Sequence, residues 1–279
     1  MSALPDHEFQ FISREIRARS GLVLTPDKAY LLETRLAPIA RKEGFSSVLE
    51  LISAVRVRRD DRLLWVMADA LTTNETFFFR DKTPFDQFRD HVVPALVAAR
   101  GASTRLRIWC AAASTGQEPY SIAMIVQELR AIGKIGDVEI VATDISDRVM
   151  EKARAGLYSQ FEVQRGLPVQ LLVKHFEKAG DLWRLSDRIR AMVRFQKHNL
   201  LEDPRALGRF DVVFCRNVLI YFEPDAKRRT LEMIAASMPD DGCLFLGAAE
   251  TTMGVTDAFA PSADRRGLYR RNAAWRKAA

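Results

Sequence analysis

Apolar residues recur at helical spacing through the first quarter of the chain. Within His7–Ser20 the inward positions are Phe9, Ile12 and Ile16, and Gly21 closes the segment. Thr25-Pro26-Asp27 marks a second helix start: a hydroxyl for the cap, a proline at the first helical position, and an acid near the positive end of the dipole. Leu31, Leu32, Leu36 and Ile39 form a stripe, Arg35 and Lys42 fall off it, and Gly44 ends the helix. Ser46 or Ser47 opens a third helix with Leu49, Ile52 and Val55 inward, and Asp60–Leu71 reads as a fourth. The pattern predicts a helical domain over 1–72 and a linker over 73–104 that contributes to a ligand site.

The period changes after Arg105. Leu106–Ala111, Glu118–Arg130, Val138–Thr143 and Asp147–Ala155 alternate strand and helix, which predicts a parallel sheet with crossover helices. The rhythm breaks over Gly156–Ala191. There a helical stretch, Val169–Glu177, precedes Trp183–Leu185 and Ala191–Phe195 around a turn, so a small, partly antiparallel subdomain is expected within 157–192. The alternation returns with Phe210–Phe214, a helix across Asp225–Met238, and Cys243–Ala248. Leu268–Arg270 is expected to pair at the sheet edge, and the last residues to fray. The region 105–279 is thus predicted to be one α/β domain with an insertion.

Composition narrows the class. The chain has 279 residues, is 48% hydrophobic and 28% charged, and can bury a sizeable core. No apolar run reaches the roughly 18–20 residues of a membrane span, and the polar start Met-Ser-Ala-Leu-Pro-Asp-His-Glu does not read as a secretory signal. Cys110, Cys215 and Cys243 lie in separate apolar runs, so reduced thiols and a cytoplasmic location are expected. The net charge of +6 suits an acidic partner, although the total alone fits an ordinary arginine-rich surface. Position sharpens it: Arg35, Arg41, Lys42, Arg56, Arg58, Arg59 and Arg62 fall in the first quarter, diluted by Glu33, Asp60 and Asp61.

Three segments carry candidate chemistry. The first is the small-residue turn Ala111–Gly116 after an apolar strand, where a ligand could approach the backbone. Only Gly116 is glycine, and no Gly-Lys-Thr/Ser follows, which argues against a pyrophosphate or triphosphate. Glu118 is either a first-turn acid favoured by the helix dipole or the partner of a ligand's ammonium. Asp144, at the tip of the next strand, is placed to hold a ribose diol, or else to cap the helix after it. The second segment, Leu71-Thr-Thr-Asn-Glu-Thr-Phe-Phe-Phe-Arg80-Asp81, sets Asn74, Thr76 and Arg80 beside an aromatic wall. Arg80 reads either as a structural arginine or as a planar guanidinium that meets a carboxylate. The third, Val212–Phe222, ends a strand in Arg216-Asn217 and continues to Tyr221; His198-Asn199-Leu200 ends the strand before it, where an amide could read an adenine edge. Scattered histidines (His7, His91, His175, His198) lack metal spacing, so no metal is predicted, and no Ser/His/Asp or Cys/His set points to a protein nucleophile.

With these strings together, the chain resembles the chemotaxis-receptor protein-glutamate O-methyltransferases, the CheR family. The matching strings are Thr72-Thr-Asn-Glu-Thr-Phe-Phe-Phe-Arg80, Trp109–Ala123, Ala142-Thr-Asp-Ile-Ser146 and Cys215-Arg-Asn-Val-Leu-Ile-Tyr-Phe222. The resemblance implies an all-α N-terminal domain and a class I S-adenosylmethionine-dependent, Rossmann-like domain with a small inserted β-subdomain. It also implies that Asn74, Thr76, Arg80, Ala111, Glu118, Asp144, Asn199, Leu200, Arg216 and Asn217 line the cofactor site, with S-adenosylhomocysteine as product. Arg80 and Tyr221 would stand near the methyl group and the substrate glutamate. The helix bearing Arg35, Arg41 and Lys42 would face the acid-rich cytoplasmic helices of a chemoreceptor. Two departures stand out: Gln117 replaces a second acid, and Phe176–Trp183 lacks the longer glycine-bearing loop of members that tether to a receptor pentapeptide. A monomeric enzyme of the pentapeptide-independent type is expected, acting in the cytoplasm without membrane insertion. A nucleic-acid methyltransferase is compatible with the charge, but no aromatic-basic platform or Asn-Pro-Pro-Tyr-type motif is present. A non-catalytic cofactor sensor would be expected to have lost some of Arg80, Asp144, Arg216-Asn217 and Tyr221.

Overall fold

The computed structural model describes residues 4–101 and 103–275; the expected fraying at 276–279 and the first three residues of the polar start lie outside them. The chain divides into two compact units, one running through Thr73 and including Tyr221–Ala226, the other holding Asn74–Ile220 and the rest from Lys227.

The first unit is helical: α1 (Asp6–Ser20), α2 (Ala29–Lys42) after a short 3-10 turn at Pro26–Lys28, α3 (Val48–Arg58) and α4 (Asp61–Leu71). Ile12, Ile16, Leu32, Leu36, Leu51, Ile52, Val55 and Met67 form its core. The Ser47 hydroxyl accepts from the Glu50 amide at 3.1 Å and Asp60 accepts from Leu63 at 3.0 Å, so α3 and α4 begin on side-chain caps. At Thr25 the expected helix starts instead as the 3-10 turn, without a side-chain cap bond. Leu49, expected inward, is 38% exposed; Val48 and Leu51 fill the core face instead. Gly21, at φ +75°, ends α1 where a Cβ would lie 2.8 Å from the Phe222 ring, so a side chain there would be strained and would need the ring to move.

The second unit begins with a helical run that the sequence pattern assigned to a linker. It consists of α5 (Thr83–Gln87), a π-type turn over Phe88–Val92, and α6 (Val93–Arg100). Phe85, Phe88, Val92, Val93 and Leu96 drive it into the core. After it come β1 (Leu106–Ala111), α7 (Gln117–Ala131), β2 (Val138–Asp144) and α8 (Asp147–Ala155). The insertion contributes β3 (Leu157–Ser159), α9 (Gln160–Gln164), α10 (Val169–His175), β4 (Phe176–Ala179), β5 (Leu182–Leu185) and α11 (Asp187–Arg190). The chain then returns through β6 (Val193–Lys197), β7 (Val212–Cys215), α12 (Pro224–Ala236), β8 (Cys243–Leu246), β9 (Phe259–Pro261) and β10 (Leu268–Arg271).

The main sheet has the order β6-β2-β1-β7-β8-β10-β9, and a separate small sheet has the order β3-β5-β4. The five strands from β6 to β8 are parallel, and β10 runs antiparallel to both its neighbours. Two strand assignments change. Ala191–Phe195, expected to pair around a turn with Trp183–Leu185, is replaced by β6 (Val193–Lys197), just past the expected 157–192 insertion. This is the outer strand of the main sheet, in register with β2 from Ile140↔Val193 to Asp144↔Lys197. Leu268–Arg271 lies inside the sheet, and β9 forms the edge.

Cys110, Cys215 and Cys243 are free and fully buried, and burial raises each thiol above its ordinary range. Only the thiolate reacts at speed. The native protein is therefore expected to leave an aromatic disulfide reagent unconsumed at neutral pH and to titrate three thiols after denaturation. Rapid reaction of the folded protein would contradict this placement.

Candidate active site

The chain leaves β1 outward through β2 to β6, then returns to β7 and β8, so the strand order reverses between β1 and β7. Loops diverge at such a reversal and open a crevice at the carboxyl ends. The tips are level there: Ala111 pairs with Thr143 and Cys215, and Cys215 with Leu246.

The backbone around this crevice is unusual. Of the seven non-glycine residues at positive φ among the described residues, Phe79, Asp81, Ala112, Ser114 and Asn217 lie in segments that the sequence marks for chemistry, and Lys82 directly follows one of them. Such conformations cost energy and persist only where neighbours hold them. In the turn after β1, the Ser114 amide donates to Asp144 Oδ2 at 2.8 Å and its hydroxyl donates to the Asn74 carbonyl at 2.8 Å. The Ser146 amide donates to Asp144 Oδ1 at 3.0 Å, so the aspartate braces two loops as well as ending β2. Gly116, at φ +93°, has no room for a Cβ, which would stand 2.9 Å from Ala153 Cβ. The small residues thus let α7 begin close under the crevice.

Below the turn lies a buried charge cluster. The Arg216 side chain is 1% exposed. It donates to Glu118 Oε2, to Asp81 Oδ2 and to the Arg80 carbonyl, each at 2.8 Å. Burial raises the Glu118 carboxyl above its ordinary range, and Arg216 opposes this only in part. Arg80 itself is half-buried; its Nη1 donates to the Glu75 carbonyl at 2.7 Å, and its guanidinium lies 5.6 Å from the Phe77 ring centre. The Phe79 amide donates to Ser121 on α7 at 3.0 Å and pins the aromatic run.

The hydrogen bonds and strand pairings therefore link Asn74, Arg80, Ala111, Glu118, Asp144 and Arg216 around one crevice; Asn74 and Arg80 join through their backbone carbonyls. Asn217 stands at φ +58° just after β7. Thr76 is half-buried in the segment leading to the phenylalanines. Beyond β6, the Asn199 carboxamide accepts from the Leu201 amide at 3.1 Å, and the carbonyl of buried Leu200 accepts from Thr230 at 3.1 Å. Tyr221 groups with the helical unit: its carbonyl accepts from the Val23 amide at 2.9 Å and its side chain packs on that core. Arg41 and Lys42 are exposed at the end of α2. Arg35 has an internal task, donating to the carbonyls of Leu71 and Thr72 at 2.7 and 2.8 Å, where α4 ends.

Two acids escaped the sequence reading. Asp81 is the second carboxylate on Arg216. Glu250, after β8, accepts from the amides of Asn217, Val218, Ile220 and Gly247 at 2.7 to 3.2 Å. It ties the β7 and β8 loops together and holds Asn217 in its left-handed conformation. Gly247 leaves room for this, since a Cβ there would stand 2.6 Å from Asn217 Nδ2. No local pattern in the sequence announces a carboxylate that serves amides thirty residues away; the Gly247-to-Glu250 spacing is the only trace.

Residues 74–267 match the family described as CheR methyltransferase, SAM binding domain, and residues 7–72 match its all-alpha domain. The chain belongs to the CheR methyltransferase family. It is 40% identical over 259 residues to chemotaxis protein methyltransferase 1 of Vibrio cholerae, covering 92% of this chain and 93% of that one. It is 39% identical over 256 residues to chemotaxis protein methyltransferase 1 of Pseudomonas aeruginosa, with coverage of 90% and 93%. Identity to the Escherichia coli chemotaxis protein methyltransferase is 34% over 252 residues, with coverage of 89% and 85%. An all-α unit ahead of a class I methyltransferase sheet is the architecture that this membership entails, and S-adenosylmethionine is the cofactor. The crevice suits it: a turn of small residues over the sheet reversal, an aspartate ending β2, and a buried acid–arginine pair beneath the turn. Among the described residues no helix is long and apolar enough to cross a membrane.

Proposed function

We propose that this protein transfers a methyl group to the side-chain carboxylates of specific glutamates on the cytoplasmic helices of a chemoreceptor, acting in the cytoplasm to adapt the receptor's signal. The reading is carried by the crevice at the β1/β7 reversal in a chain that matches named chemotaxis protein methyltransferases over nearly its whole length. S-adenosylmethionine, when bound, supplies a sulfonium methyl that a carboxylate oxygen can take in one displacement, leaving a methyl ester and S-adenosylhomocysteine.

The residues then divide the work. Asp144 grips the ribose, and Asn199 with Leu200 receives the adenine. Glu118 takes the ammonium of the cofactor's amino-acid end, which would hold its carboxyl ionised despite burial. Arg216 keeps Glu118 and Asp81 in place, while Asn74, Thr76, Ala111 and Asn217 complete the lining. Arg80 orients the incoming glutamate, and Tyr221 shares that task. A glutamate is already ionised at neutral pH, so no general base is required. Positioning is the catalytic task, and orientation of this kind can supply about 7–11 kcal/mol in favourable cases. The aromatic run Phe77–Phe79 keeps water away.

Arg41 and Lys42, exposed on α2, present positive charge to an acid-rich receptor surface, with Arg35 behind them already partly committed to α4. The β4–β5 hairpin turns tightly at Gly180-Asp181, which supports an enzyme that does not tether to a receptor pentapeptide. Incubation with receptor cytoplasmic fragments and methyl-labelled cofactor is expected to place label on glutamates and to release it as methanol in mild base. Base-stable label, or label on RNA in place of receptor, would overturn the reading.

A further inference from the structure

The segment carrying Arg80 is held from outside by the stretch that joins α9 to α10. Arg165 Nη2 donates to Glu75 Oε1 at 2.6 Å, and its guanidinium lies 4.3 Å from the Phe77 ring centre. Arg80 lies 5.6 Å from the same ring and donates to the Glu75 carbonyl. Residue 75 thus receives both arginines, Arg165 on its carboxylate and Arg80 on its carbonyl, and both guanidiniums lie against one phenylalanine. Next to Arg165 stands Gly166, at φ +84°, where a Cβ would meet the Phe78 carbonyl oxygen at 2.1 Å. The chain there runs directly against the backbone of the aromatic run.

We propose that Arg165, acting through Glu75 and Phe77, is a positioning residue that sets the guanidinium of Arg80 for the substrate carboxylate, so that the inserted subdomain aligns the reaction. The Arg165 side chain is 39% exposed and Glu75 56%, and an ion pair so exposed contributes little to stability. Its effect falls instead on orientation, where a displacement of about 1 Å can cost up to about 10²-fold in rate. The inference rests on the methyl-transfer reading for its kinetic arm, and a second arm is independent of it.

Arg165→Ala is expected to lower kcat about tenfold while the KM for the cofactor stays within about twofold, with Arg165→Lys recovering part of the loss. In an Arg80→Ala background the same substitution is expected to change the rate by less than about twofold, because the residue it positions is gone. Equal losses in both backgrounds, or no loss in the parent, would overturn the proposal. Glu75→Gln removes the ion pair from its other end and should match Arg165→Ala. The independent arm is amide hydrogen exchange of the 74–81 segment, expected to speed up several-fold in Arg165→Ala with the sheet unchanged. Unchanged exchange there overturns the clamp whether or not methyl transfer is detected, and a parent enzyme with no transfer counts against the functional reading alone.

Discussion

Replacing Arg216 by methionine is expected to remove about 3–5 kcal/mol of stability, the cost of leaving a buried charge without its partner. The guanidinium serves two carboxylates and one carbonyl, and its Glu118 contact is the most deeply buried. The loss should depend on pH in a definite direction. Burial already raises the Glu118 carboxyl, and without Arg216 nothing strong opposes it. The folded variant then holds a proton that the unfolded chain releases at the ordinary carboxylate pKa of about 4.3. A native state that binds more protons loses stability as pH rises. Urea denaturation should therefore show a smaller penalty near pH 5 than near pH 8, where keeping or losing the proton is costlier. Adding Glu118→Gln should return part of the loss at the higher pH. An equal penalty at both pH values would mean that the buried pair is not what Arg216 holds together.

That cluster was only half legible in the sequence. Strand tips are short apolar runs ending in a polar residue, so Asp144 and Arg216-Asn217 could be placed on one edge from periodicity alone, and Glu118 followed from the helix start beside them. The pairing of Glu118 with Arg216 joins residues 98 apart and has no local signal. Asp81 and Glu250 were invisible for the same reason: each binds partners brought near only by the folded sheet. The helix through Phe85, Phe88, Val92 and Leu96 carried the right spacing, but the phenylalanines before it gave the whole stretch one apolar character in which a period was hard to see. Val193–Lys197 alternates apolar and polar residues because it is an outer strand, exposed on one side. Such alternation is shared by antiparallel hairpins, and only its register with β2 assigns it to the main sheet.

Arg80→Ala is expected to reduce turnover about 10²-fold or more, the scale on which lost positioning of a reacting group appears. Stability should change by no more than about 1 kcal/mol, since the side chain is half-exposed and makes one hydrogen bond, to the Glu75 carbonyl. The backbone of residue 80 remains in both variant and parent, so the Arg216 bond to its carbonyl survives and the charge cluster stays intact. Cofactor affinity measured by calorimetry should therefore fall far less than the rate. Arg80→Lys should recover little, because an ammonium cannot offer a carboxylate the two parallel donors of a guanidinium. Radiolabel transfer to a receptor fragment, measured beside urea unfolding of the same preparations, separates the two effects. A variant that methylates normally would strip Arg80 of its role in orienting the substrate. A variant that loses stability in proportion to its rate would make it a structural arginine, whose work is to hold the 74–81 segment closed.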